Sequence, residues 1–451
     1  MVASSADPVD PRPAGLWRRR RRAVGRWSVA VAVYLLAVFH RTSLGVAGLQ
    51  AADRFHISPS QLSVFALLQL GVYAGMQIPT GVLVDRYGPR RLLVVASLTM
   101  GLAQALFAVA GSYPLALLAR AVLGLGDALT FVSVLRFAAG QFAPRRYPLI
   151  VAATGTLGTV GNVVATLPLT AALHSLGWSP TFLIAGSLSV IAGGLVYLLL
   201  PAARPLPGGP STPSELAAAL GRVGRRVRSA WRLPGTRAGF WLHFTAMSLS
   251  LMFAVLWGLP FLVQGEGMSR NAASGVLLAS VLVAIAVGPP VGVLIGRFPA
   301  GRIPLAIGSC LLTVAGWYVL LAGFGRPAPH WLVIGLVLIT ATGGPVSGIG
   351  FALARDYNGP GIVGTATGVV NVAGFVAGIA CSLAVGVGLS LSGGTELTDY
   401  RRAFAVAVSI ELFGLIQLVR WWLRARRFVL SAQARGEQTP VALVRHRWDL
   451  G

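Results

Sequence analysis

Long runs of apolar residues dominate this sequence and restrict what the chain can fold into. Twelve windows of about 20 residues carry almost no charge, and about 20 residues is the length at which an α-helix crosses ~30 Å of hydrocarbon. Overall 55% of the residues are hydrophobic and 11% are charged, whereas a soluble domain carries about 25% charged residues. A membrane-spanning β-barrel would need alternating polar and apolar positions, which these windows lack. The sequence therefore predicts an all-α membrane protein with twelve transmembrane helices.

An internal repeat divides these helices into two sets of six. The segment "GVLVDRYGPRR" at 81–91 recurs as "GVLIGRFPAGR" at 292–302, and "GTLGTVGNV" at 155–163 recurs as "GTATGVVNV" at 364–372. Two matches in the same order at nearly the same offset predict two six-helix pseudo-symmetric bundles, an arrangement found in transporters. The predicted helices occupy residues 27–49, 61–84, 92–111, 114–141, 148–173, 181–200, 238–264, 272–296, 303–323, 331–354, 362–392 and 402–425.

The connections complete the predicted organisation. We expect a cytoplasmic basic N-terminal arm at 1–26, an N-terminal bundle at 27–200 and a cytoplasmic linker at 201–237. A C-terminal bundle at 238–425 and a cytoplasmic tail at 426–451 follow.

The formal net charge of +24 first suggests a nucleic-acid partner. All 37 basic residues are arginine, however, and most lie in the short connections on one side of the predicted helices, so no basic nucleic-acid-binding region is formed. This asymmetry predicts that both termini are cytoplasmic. The absence of lysine and the richness in alanine, glycine and arginine suggest a bacterial gene, so we expect the plasma membrane of a bacterium. The lipid bilayer is therefore the expected partner, with no nucleic acid. Cys310 and Cys381 lie inside apolar runs, and we expect no metal and no cofactor.

The segment at 81–91 places glycines and charges at the end of the second predicted helix. A glycine such as Gly81 lets two helices approach closely, and Asp85 can accept bonds from nearby arginines while facing a helix N-terminus. The segment resembles the loop signature G-x-L-x-D-R-x-G-R-R/K of the major facilitator superfamily. That resemblance implies a cytoplasmic gate, which we expect to be one-sided because Gly296 replaces the aspartate in the second copy. The gate residues are Gly81, Asp85, Arg86, Gly88, Arg90 and Arg91.

Ionisable residues inside the predicted helices are functional candidates, because a charge at mid-bilayer costs at least about 2.5 kcal/mol unless it is paired or hydrated. Asp127 lies near the middle of its helix, and Arg120 precedes it by about two turns, on the same face. We therefore predict Asp127 as a proton carrier. His40 is a second proton-coupling candidate, with a hydrogen-bonded structural histidine or one facing the lipid headgroups as the alternatives. Arg136 is expected to snorkel to the interface.

The charges of the first and fourth helices extend the resemblance to one branch of the superfamily, the anion:cation symporters. Arg41, Arg120 and Gly124 match positions of that branch, and Asp127 stands where a glutamate is usual, whereas His40 replaces an aspartate. The resemblance implies that the arginines bind an organic anion and that the acids bind protons. Further candidate substrate-binding residues, for which interhelical packing is the alternative, are Tyr34, Gln69, Tyr73, Asn162, Asn371 and Trp257.

These observations favour a transporter. The chain contains no lysine, which excludes the Gly-Lys-Ser/Thr loop of an ATPase, and we find no nucleophile–base set, so an enzyme is not expected. We predict a secondary active transporter that moves a small-molecule substrate by alternating access and acts as a monomer. Proton-coupled symport of a small organic anion is the favoured mode. A proton-coupled efflux antiporter and a non-transporting membrane protein remain as alternatives.

Overall fold

The protein is almost entirely helical. The computed structural model describes residues 13–57, 59–202, 213–324, 327–392 and 396–444, and these contain no β-strand. Parts of the predicted arm, linker and tail, at 1–12, 203–212 and 445–451, lie outside the described residues. The helices of the first half are α1 (Pro13–Phe55), α2 (Pro59–Tyr87), α3 (Pro89–Val109), α4 (Tyr113–Ala128), α5 (Thr130–Gln141), α6 (Tyr147–Leu176) and α7 (Trp178–Leu199).

The second half follows a helix in the connection, α8 (Pro213–Arg232). Two π-helical turns at Phe253–Trp257 and Phe261–Gly265 extend α9 on either side of the short α10. The remaining helices are α9 (Pro234–Met252), α10 (Gly258–Pro260), α11 (Arg270–Arg297), α12 (Arg302–Gly323), α13 (His330–Ala341), α14 (Gly343–Ser347), α15 (Ile349–Tyr357), α16 (Val363–Ser392) and α17 (Leu397–Ala434).

Several of these helices combine into longer spans. The pair α4–α5 forms one span, and α13–α15 forms another. Within the described residues, ten spans are long and apolar enough to cross a membrane. The helices α2 and α6, with 29 and 30 residues, bring the number to twelve. The prediction of a twelve-helix membrane protein in two bundles is thus confirmed. The ends of α1 and α17 were predicted too short, because arginine and alanine continue a helix beyond the apolar core.

Among the described residues, the two halves share a hydrophobic core at one side of the molecule. We call the side that carries residues 81–91 the motif side and the opposite one the far side. On the motif side, Phe131 of the first half belongs to the same buried cluster as Phe351 and Val370 of the second. On the far side each half has its own aromatic cluster, around Phe107 in one and Phe404 in the other. The structure is therefore closed on the motif side.

Candidate functional site

A cavity of about 260 Å³ lies between the two halves. Helices α1, α2, α5 and α6 form one wall, and α9, α11, α14, α15 and α16 form the other. Among the described residues that line it, Arg41 is the one with a permanent charge. Other residues of the wall include Tyr34, Tyr73, Phe131, Thr156, Thr159, His243, Ser347, Phe351, Asn371 and Phe375.

Arg41 forms a bidentate ion pair with Asp127. Its Nε donates to Oδ2 and its Nη2 donates to Oδ1, both at 2.8 Å. The Asp127 side chain is fully buried, whereas that of Arg41 is 29% exposed. The guanidinium carbon also lies 4.4 Å from the centre of the Tyr73 ring. The Arg41 guanidinium therefore lines the cavity, and the carboxylate that neutralises its charge is buried behind it.

The local fold fixes the carboxylate at a helix break. Asp127 lies in the last turn of α4, and Leu129 separates that helix from α5. The Thr130 hydroxyl donates to the Asp127 carbonyl at 2.7 Å, which satisfies a backbone acceptor at the break. Burial of a carboxylate is unfavourable without such pairing, so the arginine and the acid hold each other in place.

Four of the predicted substrate-binding residues come together at this cavity: Tyr34, Arg41, Tyr73 and Asn371. The Tyr34 ring packs against Phe131, with centroids 5.1 Å apart. The Asn371 amide donates to the Gln77 side chain, a contact between α16 and α2 that joins the two halves.

Arg120 does not line the cavity. Its guanidinium lies in the interior of the first half, 4.4 Å from the centre of the Phe107 ring. Its Nη1 donates to the His40 carbonyl at 3.3 Å, and its Nε has no hydrogen-bond partner. The expected pairing with Asp127 on a shared helix face is not formed, because Arg41 occupies both carboxylate oxygens. We therefore leave Arg120 out of the proposed substrate site.

His40 is fully buried and lies away from the cavity wall. The Gln104 amide donates to Nδ1 at 2.7 Å, and Nε2 donates to the Ser189 hydroxyl at 2.6 Å. Both ring nitrogens are therefore occupied by bonds that tie α1 to α3 and α7. This arrangement corresponds to the structural alternative, and His40 is left out of the proposed proton pathway.

Three further predicted residues are not part of the described wall. Gln69 is buried, and its carbonyl faces Gly124, where an added Cβ would meet it at 2.8 Å. Trp257 donates from its indole to the Ser382 carbonyl at 2.9 Å, which ties the π-helical end of α9 to α16. The side chain of Asn162 lies outside the described residues.

Asp85 caps a helix of the opposite half. Its Oδ1 accepts from the backbone N–H of Gly364 at 2.9 Å, and its Oδ2 accepts from the N–H and hydroxyl of Thr365 at 2.7 and 2.9 Å. These donors belong to the first turn of α16, where a negative charge is favoured by the helix dipole. Arg136 adds an ion pair to Oδ1 at 2.9 Å. Asp85 therefore joins the halves on the motif side.

Arg136, which was expected to snorkel to the membrane interface, pairs with Asp85 and donates to the Pro360 carbonyl of the second half at 2.8 Å. Arg355 makes the reciprocal contact. It donates from the second half to the carbonyls of Ala139 and Phe142, at 2.9 and 2.6 Å. In the described part of the chain, a carboxylate caps a helix of the opposite half only from the first half, as predicted for the gate, whereas each half contributes an arginine that donates to backbone carbonyls of the other half.

The other predicted gate residues play different parts. An added Cβ at Gly81 would lie 2.4 Å from the Gly364 carbonyl, so only glycine allows this approach of α2 and α16. Gly88 has a φ of 82° before α3, a conformation that favours glycine. Arg86 and Arg90 stack on Tyr87 and Tyr197 of their own half, at 5.2 and 4.6 Å. Arg91 is exposed.

Several residues of the wall were not among the predicted substrate-binding residues, including His243 and the rings of Phe131, Phe351 and Phe375. His243 carried a usable signal, since histidine is rare inside membrane helices. Its ring lies 4.7 Å from that of Phe351, and its Nδ1 faces the Ser347 carbonyl at 3.2 Å. The phenylalanines carried no such signal, because apolar residues occupy every face of these helices.

Comparison with known proteins agrees with this fold. The family model described as Major Facilitator Superfamily matches residues 30–382. The chain therefore belongs to the major facilitator superfamily, and it is a membrane transporter rather than an enzyme.

Several similar proteins are named as transporters, two of them as probable ones. The probable galactarate/D-glucarate transporter of Escherichia coli (strain K12) is 23% identical over 81% of this chain and 87% of that protein. The 3-(3-hydroxy-phenyl)propionate transporter of the same organism is 26% identical over 80% of this chain and 87% of that protein. A match to the probable sulfoacetate transporter of Cupriavidus necator is 26% identical and covers 37% of that protein.

Solved structures share the fold. FucP, a superfamily transporter in the outward conformation, superposes with a TM-score of 0.65 at 15% identity, over 88% of this chain and 99% of that one. The proton:xylose symporter XylE, bound to 6-bromo-6-deoxy-D-glucose, gives a TM-score of 0.66 at 15% identity, over 90% of this chain and 96% of that one.

Proposed function

We propose that the protein is a proton-coupled symporter of a small organic anion. The observation that carries this proposal is the Arg41–Asp127 pair at the cavity, in which the charge of a partly exposed arginine is neutralised by a buried carboxylate. Arg41 is the anion-binding group, with Tyr34, Tyr73 and Asn371 beside it, and Asp127 is the proton carrier. The names of the similar proteins, which are transporters of organic acids, support an anionic substrate.

Charge balance explains the coupling. In the empty site the arginine and the carboxylate cancel each other. When Asp127 takes up a proton, Arg41 is released to bind the carboxylate of a substrate, and the site is again neutral. An anion bound without a proton would leave a net negative charge in a low-dielectric region, which is costly. The transporter can thus change between its two open conformations when the site is empty and when it holds both the proton and the anion, because the site is neutral in both forms.

The proposed movement is alternating access. The bundles at 27–200 and 238–425 rock about the cavity, and the contacts of Asp85, Arg136 and Arg355 break when the motif side opens. We further propose that the motif side and both termini face the cytoplasm, because the arginine-rich connections lie there. One chain supplies both walls of the cavity, which supports a monomeric unit.

A proton-coupled efflux antiporter for cations is the second candidate. A cation would need an exposed carboxylate among aromatic rings. The rings are present, but Asp127 lies behind Arg41, and no acidic residue is among the described residues of the wall. The observed charges therefore favour the anion.

Reconstituted protein tests the proposal. Purified protein in liposomes with an acidic exterior is offered a panel of radiolabelled organic acids and lipophilic cations, with protein-free liposomes as the control for passive entry. We expect accumulation of at least one organic acid above its external concentration, abolished when a protonophore collapses the gradient. Proton-driven movement of the cations alone would contradict the proposal.

A further inference from the structure

We infer that the cavity selects an organic acid with one carboxylate and a flat apolar body, an aryl carboxylate, over a polyhydroxylated sugar acid. This inference rests on the proposed function, since it takes Arg41 as the carboxylate contact, and it goes on to name the class of substrate.

Two aromatic pairs, each formed between the two halves, belong to the wall of the cavity. Phe131 of α5 meets Phe351 of α15 with centroids 5.3 Å apart, and Tyr73 of α2 meets Phe375 of α16 at 4.8 Å. Both pairs have edge-to-face geometry, and all four rings belong to the lining of the cavity. A planar apolar body lodged beside Arg41 would therefore contact rings of both halves.

Several polar groups of the wall are engaged with the protein itself. The Asn371 amide donates to Gln77, and the Thr159 hydroxyl donates to the Gly155 carbonyl at 3.2 Å. The Ser347 hydroxyl donates to the Gly344 carbonyl at 2.6 Å.

A substrate with many hydroxyl groups would have to compete with these internal bonds. Each hydroxyl that loses water without gaining a partner is penalised, so a sugar acid would bind weakly. An aryl carboxylate has one group that needs a charged partner, and Arg41 provides it.

The size of the cavity agrees with this class. Its volume of about 260 Å³ lies just below the ~300–1,000 Å³ usual for small-molecule sites. A small cavity with aromatic walls suits an acid with a single ring better than a long amphiphile.

Binding of two acids of similar size tests the inference. The dissociation constants of 3-phenylpropionate and of glucarate are measured by calorimetry on the purified full-length protein, which requires neither transport nor a proton gradient. We expect 3-phenylpropionate to bind at least about tenfold more tightly. Phe375→Leu and Phe351→Leu, one in each aromatic pair, should each weaken it by about three- to tenfold, the loss of one aromatic contact of about 0.5–1.5 kcal/mol.

Phe413→Leu is the matched control, because Phe413 is half exposed on α17 and lies outside the cavity. It should leave the affinity unchanged. Glucarate binding as tightly as 3-phenylpropionate, or equal effects of the three substitutions, would overturn the inference and leave the proposed anion symport standing. Failure of every organic acid to bind, with a lipophilic cation bound instead, would overturn the proposed function as well.

Discussion

Arg41 and Asp127 are joined by two parallel hydrogen bonds of 2.8 Å, and of the two side chains only that of Arg41 reaches the cavity. Arg41, which can contact a substrate, is thus bonded directly to Asp127, which can hold a proton. Competition for Arg41 between Asp127 and a substrate carboxylate is the physical basis of the proposed coupling.

Removing the carboxylate should separate proton movement from substrate movement. In Asp127→Asn, the site no longer gains a proton when it loads, so we expect gradient-driven accumulation to be lost while exchange of internal for external substrate continues. Both rates are measured in proteoliposomes. Asp53→Asn, at an exposed aspartate on the far side, is the control and should behave as the wild type. Unchanged accumulation by Asp127→Asn would exclude its role.

Arg41→Lys should weaken anion binding although the charge is kept. A lysine cannot form two parallel bonds to a carboxylate or stack in the same way on the Tyr73 ring. We expect the dissociation constant of the bound acid to rise by at least about tenfold, which corresponds to about 1.4 kcal/mol. Arg402→Lys, at an exposed position of α17, should leave the constant unchanged.

Arg41 and Arg120 should respond differently to loss of their charge. Arg120 is buried outside the cavity, without an acidic partner among the described residues. Replacing such a charge by a side chain of similar size is often tolerated, so Arg120→Met should keep the substrate affinity within about twofold. Arg41→Met should abolish measurable binding. Equal loss of binding in the two variants would place Arg120 in the substrate site.

Asp85→Asn should loosen the closed motif side. The carboxylate accepts three bonds from the first turn of α16 and a charged bond from Arg136, and an amide keeps neither the charge nor every acceptor. In a Thr156→Cys background, labelling by an impermeant maleimide from the motif side should increase several-fold. Glu437→Gln, at an exposed residue outside the contact, is the control. Unchanged labelling would mean that Asp85 does not hold the gate.

Two glycines of α2 offer a matched pair for the same closure. A Cβ at Gly81 would lie 2.4 Å from the Gly364 carbonyl, whereas a Cβ at Gly75 meets nothing within 4 Å. Overpacking of this kind costs about 1–3 kcal/mol. Gly81→Ala should therefore shift the population toward a motif side that is open, seen by spin-label distances between the halves, and Gly75→Ala should not. The same distances in both variants would argue against this close approach.

Sequence reasoning worked best where a feature extends along the chain. The apolar windows define the helices because each must cross the hydrocarbon, and the segment at 81–91 stands out through its glycines and charges. Sequence reasoning was less successful in predicting which side chains pair with each other. Arg41 and Arg120 were both plausible partners for Asp127, and only the packing of α1 against α4 decides between them.

Helix rotation explains most of the remaining differences. Helices with apolar residues on every side give little indication of which face meets the cavity, so Gln69 and Trp257 were assigned to it while Phe131 and Phe375 were not. His40 lies one residue from Arg41, about 100° around the same helix, and thus faces α3 and α7 instead of the cavity.

The central claim is tested most directly by measuring proton movement during downhill transport. Proteoliposomes with an internal pH-sensitive dye and no initial pH gradient are given an inward gradient of the organic acid that the protein binds most tightly. Wild-type vesicles should acidify faster than protein-free vesicles, and Asp127→Asn vesicles should take up the acid without this additional acidification. Uptake by the wild type without acidification, or equal acidification by Asp127→Asn, would contradict coupling through the Arg41–Asp127 pair.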